Sequence, residues 1–212
     1  MENRLLEGFL RFRQEDFESH QKLFQELGRS QKPHTLFIGC ADSRVVPNLI
    51  TQTTPGELFT VRNVANIVPP YRVSTEYAAT TSAIEYAVQA LKVESIVVCG
   101  HSNCGGCSAL HLPPQDLEKL PNVRKWLEIL EPVKIEVDKL APPGSPEGSP
   151  EEREWLTEQV NIVHQLRNLL TYPYIRSKLG TGELKIFGWY YMIETGEIFN
   201  YNPDTKTFDP VS

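Results

Sequence analysis

Basic residues are in deficit in this chain of 212, where 21 Lys and Arg stand against 27 Asp and Glu for a formal charge of −6. With no basic block to follow a phosphate backbone, nucleic acid is not an expected partner. Long apolar runs are missing too. No stretch approaches the roughly 18 uncharged apolar residues that a spanning helix needs. The opening MENRLLEGFLRFRQEDFE is charged throughout, unlike the apolar centre of a secretory signal. The expected location is therefore cytoplasmic, with no membrane span. Cysteine is scarce at four residues, too few for a disulfide-built scaffold. None is needed, because a chain of this length buries roughly 70% of its unfolded surface on folding. Scarcity makes placement informative: Cys99, Cys104 and Cys107 fall within nine residues, around His101.

The length predicts one domain with an appendage. Residues 1–30 form a helical arm and residues 31–212 an α/β domain. In the arm, Leu5, Leu6, Phe9 and Phe12 make an amphipathic stripe, and Phe17, His20, Phe24 and Leu27 a second, stopped at Gly28. Such an arm packs on its own domain or on another subunit. From Thr35 the texture changes. LFIG at 36–39 and SIVVCG at 95–100 are short apolar runs suited to the interior of a parallel sheet. GELFTVRN between them supplies a third strand through Leu58, Phe59 and Val61.

After Pro69 and Pro70, a helix is predicted to start at Ser74, Thr75 and Glu76 and to run to Leu91, with Tyr77, Ile84, Val88 and Leu91 on one side. Strand, helix, strand is the βαβ signature, and the crossover is expected to be right-handed. Further on, a helix around Trp126, Leu127 and Leu130 is interrupted at Pro132, and 141–150 is a Pro/Gly/Ser loop. A helix over 151–170 points Trp155, Ile162, Leu166 and Leu169 inward, LKIFGW at 184–189 is a strand, and YMIETGEIFNY is a strand pair joined at Thr195–Gly196. The fold class is α/β: a mostly parallel central sheet flanked by helices, with an N-terminal helical arm.

Two fragments carry the chemistry. GCADSRVV at 39–46 and CGHSNCGGC at 99–107 each follow a predicted strand, at the carboxyl ends where α/β sheets bind ligands. Cys40, His101 and Cys104 offer two thiolates and an imidazole, a set suited to Zn²⁺. Cys99 lies inside a strand and reads as a buried hydrophobe. Cys104 and Cys107 form a C-x-x-C pair, so a redox motif or a closed four-ligand site is an alternative. A redox site would leave Cys40, His101 and Asp42 unused, and a saturated metal could not bind water, so Cys107 is placed outside the ligand set. Asp42 either takes the fourth metal position or is held by Arg44 and accepts a hydrogen bond from water; a plain salt bridge is the third reading. An arginine buried beside a metal needs a paired carboxylate, so the two are treated as one unit.

In C-x-D-x-R at Cys40, Asp42 and Arg44, and in H-x-x-C at His101 and Cys104 followed by Gly105–Gly106, the chain resembles the β-class carbonic anhydrases. PGELFTVRNVAN, VPPY and AIEYAVQALKV are similar to that family as well. The resemblance is dense from Gln31 to Gly106 and looser to about residue 200. It implies a zinc-dependent lyase for the reversible hydration of CO₂ to bicarbonate and a proton. Zinc would sit on Cys40, His101 and Cys104 with one position left for water, Asp42 orienting that water and Arg44 fixing Asp42. It further implies a pocket drawn from Gln31, Phe59, Val64, Tyr86 and Gly105, with Gln31 acting across a dimer interface. The assembly implied is a homodimer or a multiple of dimers, the arm embracing the partner. The family's bicarbonate-regulated subset has a tryptophan three residues before the first zinc cysteine. Phe37 stands there in this chain, which points to the plant-like, non-bicarbonate-regulated kind, although Arg62 is present. Hydrolysis of CS₂ or COS on the same scaffold is the alternative activity. A zinc-bound homologue without turnover is opposed by the presence of Asp42 and Arg44. Some relatives join carbon-fixing compartments through a C-terminal extension, and the end at Ser212 favours free cytoplasm instead.

Overall fold

The strand β1 (Thr35–Cys40) is buried along all six residues, as the apolar run LFIG requires of a strand with neighbours on both edges and layers on both faces. The computed structural model describes residues 2–73, 78–145 and 148–211. The remaining strands are β2 (Leu58–Asn63), β3 (Ser95–His101), β4 (Lys185–Tyr191), β5 (Ile198–Asn202) and β6 (Thr207–Pro210). They form one six-stranded sheet in the order β2-β1-β3-β4-β5-β6. The first four pair in parallel, and β5 and β6 are added antiparallel. The expected turn at Thr195–Gly196 joins β4 to β5, with Gly196 at φ 77°. β6 goes beyond the expected strands. Its sequence TFDP has little apolar pattern, and its place is the edge of the sheet, where a short polar strand with a proline is tolerated.

The chain divides into two compact units, Met1–Lys32 and Pro33–Ser212. In the first, three helices stand where two were expected: α1 (Glu2–Gln14), α2 (Asp16–Ser19) and α3 (Gln21–Leu27). The extra break falls at His20. The Ser19 hydroxyl and the His20 ring both compete for the Asp16 carbonyl, each at 2.9 Å, and close the helix off. Phe12, Phe17 and Phe24 pack on one another with ring centroids 5.2–6.3 Å apart. Gly28 ends α3 as expected. Leu5, at 84% exposure, Leu6, Phe9 and Leu10 stay open to solvent.

The second unit carries α4 (Pro47–Thr51), α5 (Ala79–Glu85), α6 (Gly105–Ser108), α7 (Pro121–Leu127), α8 (Glu131–Leu140), α9 (Pro150–Leu169) and α10 (Pro173–Thr181). A π-type turn over Tyr86–Ala90 extends α5. Its expected start at Ser74, Thr75 and Glu76, and Tyr77 with it, lies outside the described residues. Ile84 and Val88 are buried, and Leu91 packs against the same core. Pro132 opens α8 where an interruption was expected. A proline has no N–H to lose in a first helical turn, so α7 and α8 are separate helices joined by a 3₁₀ turn at Glu128–Leu130. No helix among the described residues is long and apolar enough to cross a membrane.

The helix α9 covers the sheet. Ser149 and Glu152 form a capping box around Pro150, which fixes its start. A Cβ on Gly100 of β3 would stand 2.7 Å from Ile162, and one on Gly188 of β4 would stand 2.9 Å from Ile162 and Leu166. The two glycines therefore make the groove in which the helix rests, and filling it would cost about 1–3 kcal/mol of overpacking. Ile162 and Leu169 face inward as expected, and Leu166 packs against the same core. Trp155 corrects the expectation, since it is 51% exposed. Glu158 already contacts Cys104, just past the end of β3. Trp155 lines an open groove with Tyr201 of β5 and Phe208 of β6, at the antiparallel side of the sheet.

Candidate metal centre

Parallel pairing of β1 with β3 aligns Gly39 with Cys99, so Cys40 and His101 emerge side by side at the carboxyl edge of the sheet. Three residues later Cys104 turns back and starts α6. The three side chains are buried, and their ligand atoms all lie within 4.8 Å of one another. The two sulfurs are 3.9 Å apart. His101 Nδ1 is 2.9 Å from the Ser102 carbonyl, to which it donates, so the lone pair of the ring resides on Nε2. That atom is buried with no hydrogen-bond partner. A polar atom left unpaired in a buried site is costly, and one facing two thiols fits a borderline-soft cation such as zinc. Cys40, His101 and Cys104 would hold it. A carbonyl on the far ring nitrogen is the usual way to fix such an imidazole.

Both thiols resist ionisation by themselves. Cys40 is pushed up to about 12, first by its contact with Cys104 and then by burial. Cys104 is raised as well, chiefly by the adjacent Cys107 thiol. Cys107 itself sits in α6, outside the triad, and its sulfur takes the Asn161 amide at 3.6 Å. Cys99 is buried in β3 beside Phe37 and Val97, in agreement with its reading as a small hydrophobe.

Asp42 and Arg44 meet as one unit. Asp42 Oδ1 accepts both the backbone N–H and Nε–H of Arg44 at 2.9 Å, and Oδ2 accepts Nη2–H at 2.8 Å. These bonds hold the carboxyl well below the usual carboxylate range. Oδ2 lies 4.0 Å from His101 Nε2. Arg44 is not buried, as the pairing argument had assumed; its side chain is 46% exposed. Its remaining contact is with the Asn103 carbonyl at 3.0 Å. Arg62 donates to the carbonyls of Cys40 and Asp42 at 3.0 and 2.6 Å, bracing the segment from behind.

The residues expected to line a pocket divide. Val64 directly follows Asn63, the β2 partner of Cys40, and it touches the path of Gly106, where an added Cβ would stand 2.9 Å from its side chain. Gly105 follows Cys104. These two adjoin the triad. Phe59 and Tyr86 pack together with centroids 5.9 Å apart. Phe59, however, pairs with Leu36, four residues before Cys40, or about 13 Å back along the strand. The chain does not bring that pair to its own triad. Gln31 belongs to the other unit.

Sequence reasoning missed the support beneath the site. Glu158 of α9 accepts the Cys104 N–H at 2.7 Å and the Tyr190 hydroxyl at 2.8 Å, and burial pushes it up to about 7. Asn161 donates to the Ala65 carbonyl, and Gln165 accepts the Val68 N–H. The available signal was three polar residues at i, i+3 and i+7 on a face shared with Ile162 and Leu169.

Comparison with known proteins supplies the family. A family model described as carbonic anhydrase matches residues 35–198. A carbonic anhydrase of Helicobacter pylori (strain J99) is 45% identical over 206 residues, 96% of this chain and 92% of its own. One from Synechocystis sp. is 44% identical over 203 residues, 94% of this chain and 70% of its own. Among solved structures, the β-carbonic anhydrase CcaA superposes with a TM-score of 0.91 at 41% identity, covering 99% of this chain and 98% of its own. A tetrameric β-carbonic anhydrase from Sordaria macrospora gives 0.77 at 30% identity, over 93% and 95% of the two chains.

Since both cysteine thiols are neutral in the metal-free site, zinc must displace their protons. Calorimetric titration of zinc into metal-free protein near neutral pH, in buffers of different ionisation enthalpy, is expected to show release of about two protons per metal, with affinity rising as pH rises. Release of well under one proton would mean that the thiolates are already formed, against the site described.

Proposed function

The chain belongs to the β-class carbonic anhydrase family, and we propose that Asp42 and Arg44 are the catalytic residues beside its Cys40–His101–Cys104 zinc site. The activity is the zinc-dependent, reversible hydration of CO₂ to bicarbonate and a proton. The observation that carries the reading is the buried, unpaired Nε2 of His101 facing two thiols. When bound there, zinc supplies the Lewis acidity that brings the pKa of water toward neutrality, an effect for which carbonic anhydrase is itself the usual illustration.

The chain's own part is orientation. Oδ1 of Asp42 takes two donors from Arg44 and Oδ2 takes one. Oδ2 therefore keeps an open lone pair at the atom nearer His101 Nε2. An ionised Asp42 accepts a hydrogen bond and cannot donate one. It accepts a hydrogen bond from the reacting water and so turns a lone pair of that water's oxygen toward the carbon of CO₂. Arg44 keeps Asp42 ionised and in place.

A pocket for CO₂ needs apolar walls and a donor. In this reading Val64 and Gly105 come from one copy, and Gln31, Phe59 and Tyr86 come from a second across a dimer interface. Two observations support it: Phe59, with Tyr86 packed on it, is distant from the triad along β2, and the apolar arm stripe of Leu5, Phe9 and Phe12 is exposed. The arm then packs on the partner, and residues 31–212 act as the catalytic domain. The plant-like, non-bicarbonate-regulated kind is supported by the commitments of Arg62 and Asp42. Moving Asp42 onto the metal would break three bonds to Arg44, and Arg62 is already spent on two carbonyls.

Stopped-flow CO₂ hydration at mildly alkaline pH, with zinc measured on the same sample, tests the assignment. Asp42→Ala is expected to keep zinc and lose about 10–100-fold in kcat, whereas Cys104→Ser loses zinc. Equal zinc loss in both would contradict the assigned roles, and faster turnover of CS₂ than of CO₂ would select the alternative substrate. For assembly, light scattering is expected to give the mass of two chains or a multiple. The double change Leu5→Asp/Phe9→Asp is expected to lower both mass and activity. A fully active single chain would rule out the shared site.

A further inference from the structure

We propose that Glu194, on the turn between β4 and β5, is a positioning residue that holds the two-residue bridge between His101 and Cys104 and so sets zinc affinity and the placement of Asp42 together. The inference rests on the zinc site and on the Asp42–Arg44 roles given above.

Only Ser102 and Asn103 separate the second and third metal ligands. One carboxylate grips both side chains: Glu194 Oε2 accepts the Ser102 hydroxyl at 2.8 Å, and Oε1 accepts the Asn103 amide at 2.5 Å. The Ser102 hydroxyl oxygen also accepts the Ile193 N–H at 3.0 Å, and the Ser102 N–H donates to the Tyr191 carbonyl at 3.0 Å. The end of β4 and its turn thus clasp the bridge from one side. Asn103 stands at φ 56°, in the left-handed region that asparagine adopts more readily than most side-chain-bearing residues.

Both backbone carbonyls of this bridge face working parts of the site. The Ser102 carbonyl takes the Nδ1–H of His101 and so sets the plane of the imidazole. The Asn103 carbonyl takes Nη2–H of Arg44, the guanidinium that holds Asp42. If the Glu194 grip is released, the bridge relaxes, the imidazole loses its fixed tilt, and Arg44 loses the contact that ties it to the metal loop. Glu194 is not among the three ligands and does not bond Asp42; it reaches the site through the bridge, and its charge also attracts Arg44 across the same loop.

The test uses the full-length zinc protein with three substitutions: Glu194→Ala, Glu194→Gln and Glu197→Ala. Glu197 lies on the same turn and its carboxylate bonds Thr195, which makes it the control for damage to the turn. Zinc affinity is read by competition with a chromophoric chelator, and kcat and KM are read at saturating zinc. Glu194→Ala is expected to weaken zinc about 10–100-fold and to lower kcat while KM stays within about twofold. Glu194→Gln, which retains one acceptor oxygen, falls between it and the parent, and Glu197→Ala stays within about twofold of the parent in both readouts. The proposal is overturned if both Glu194 variants keep parental zinc affinity and kcat, or if Glu197→Ala loses as much as Glu194→Ala. Zinc binding and CO₂ hydration by the parent in the same series report separately on the metal-site reading.

Discussion

Parallel pairing of β1 with β3 is the constraint on which the site depends. Two strands running the same way end at the same edge, so their last residues, Cys40 and His101, become neighbours although they are far apart in sequence. Burial then does the selecting. At that edge a thiol and an imidazole are shut away from water, a second thiol is folded back 3.9 Å from the first, and the ring nitrogen between them has no protein partner. A buried ring nitrogen left without a partner beside two thiols is costly until a cation satisfies it. The metal site follows directly from the sheet topology.

The rest of the domain holds that edge still. Close approach of α9 to Gly100 and Gly188 seats the helix flat on β3 and β4, and the same face carries Glu158, Asn161 and Gln165 to the loops above the strands. Each of these buried polar groups satisfies a backbone atom in the segments 64–68 or 104–107, or a side chain that borders them. Above the edge, the bonds of Arg44 divide between Asp42 and the Asn103 carbonyl, so the carboxylate and the metal loop are mechanically one piece. Support from below and bracing from above leave the ligands little freedom, which is what pre-organised metal chemistry requires.

The sequence made some of this legible and hid the rest for physical reasons. β1 and β3 stood out because a strand buried on both faces must be continuously apolar, and LFIG and SIVVCG are. The ligands stood out because soft donors are scarce in this chain and fall at strand ends. β6 was hidden because an edge strand needs no apolar pattern. Pro132 was ambiguous because a proline reads the same whether it breaks one helix or opens the next. Trp155 was misplaced because periodicity gives the face of a helix but not how completely that face is covered. Glu158 and Glu194 meet partners brought in by the fold, from 54 and 91 or 92 residues away respectively; Glu158 shows only as a polar residue on an inward helix face, and no local pattern marks Glu194.

All of this turns on which atoms reach the metal and which stay back. A crystal structure of the zinc-loaded full-length protein above neutral pH, with zinc located by anomalous scattering, decides it most directly. The account predicts zinc on Cys40 Sγ, Cys104 Sγ and His101 Nε2, a fourth position not filled by the protein, and Asp42 still paired with Arg44. Asp42 or Cys107 found as the fourth ligand would contradict it.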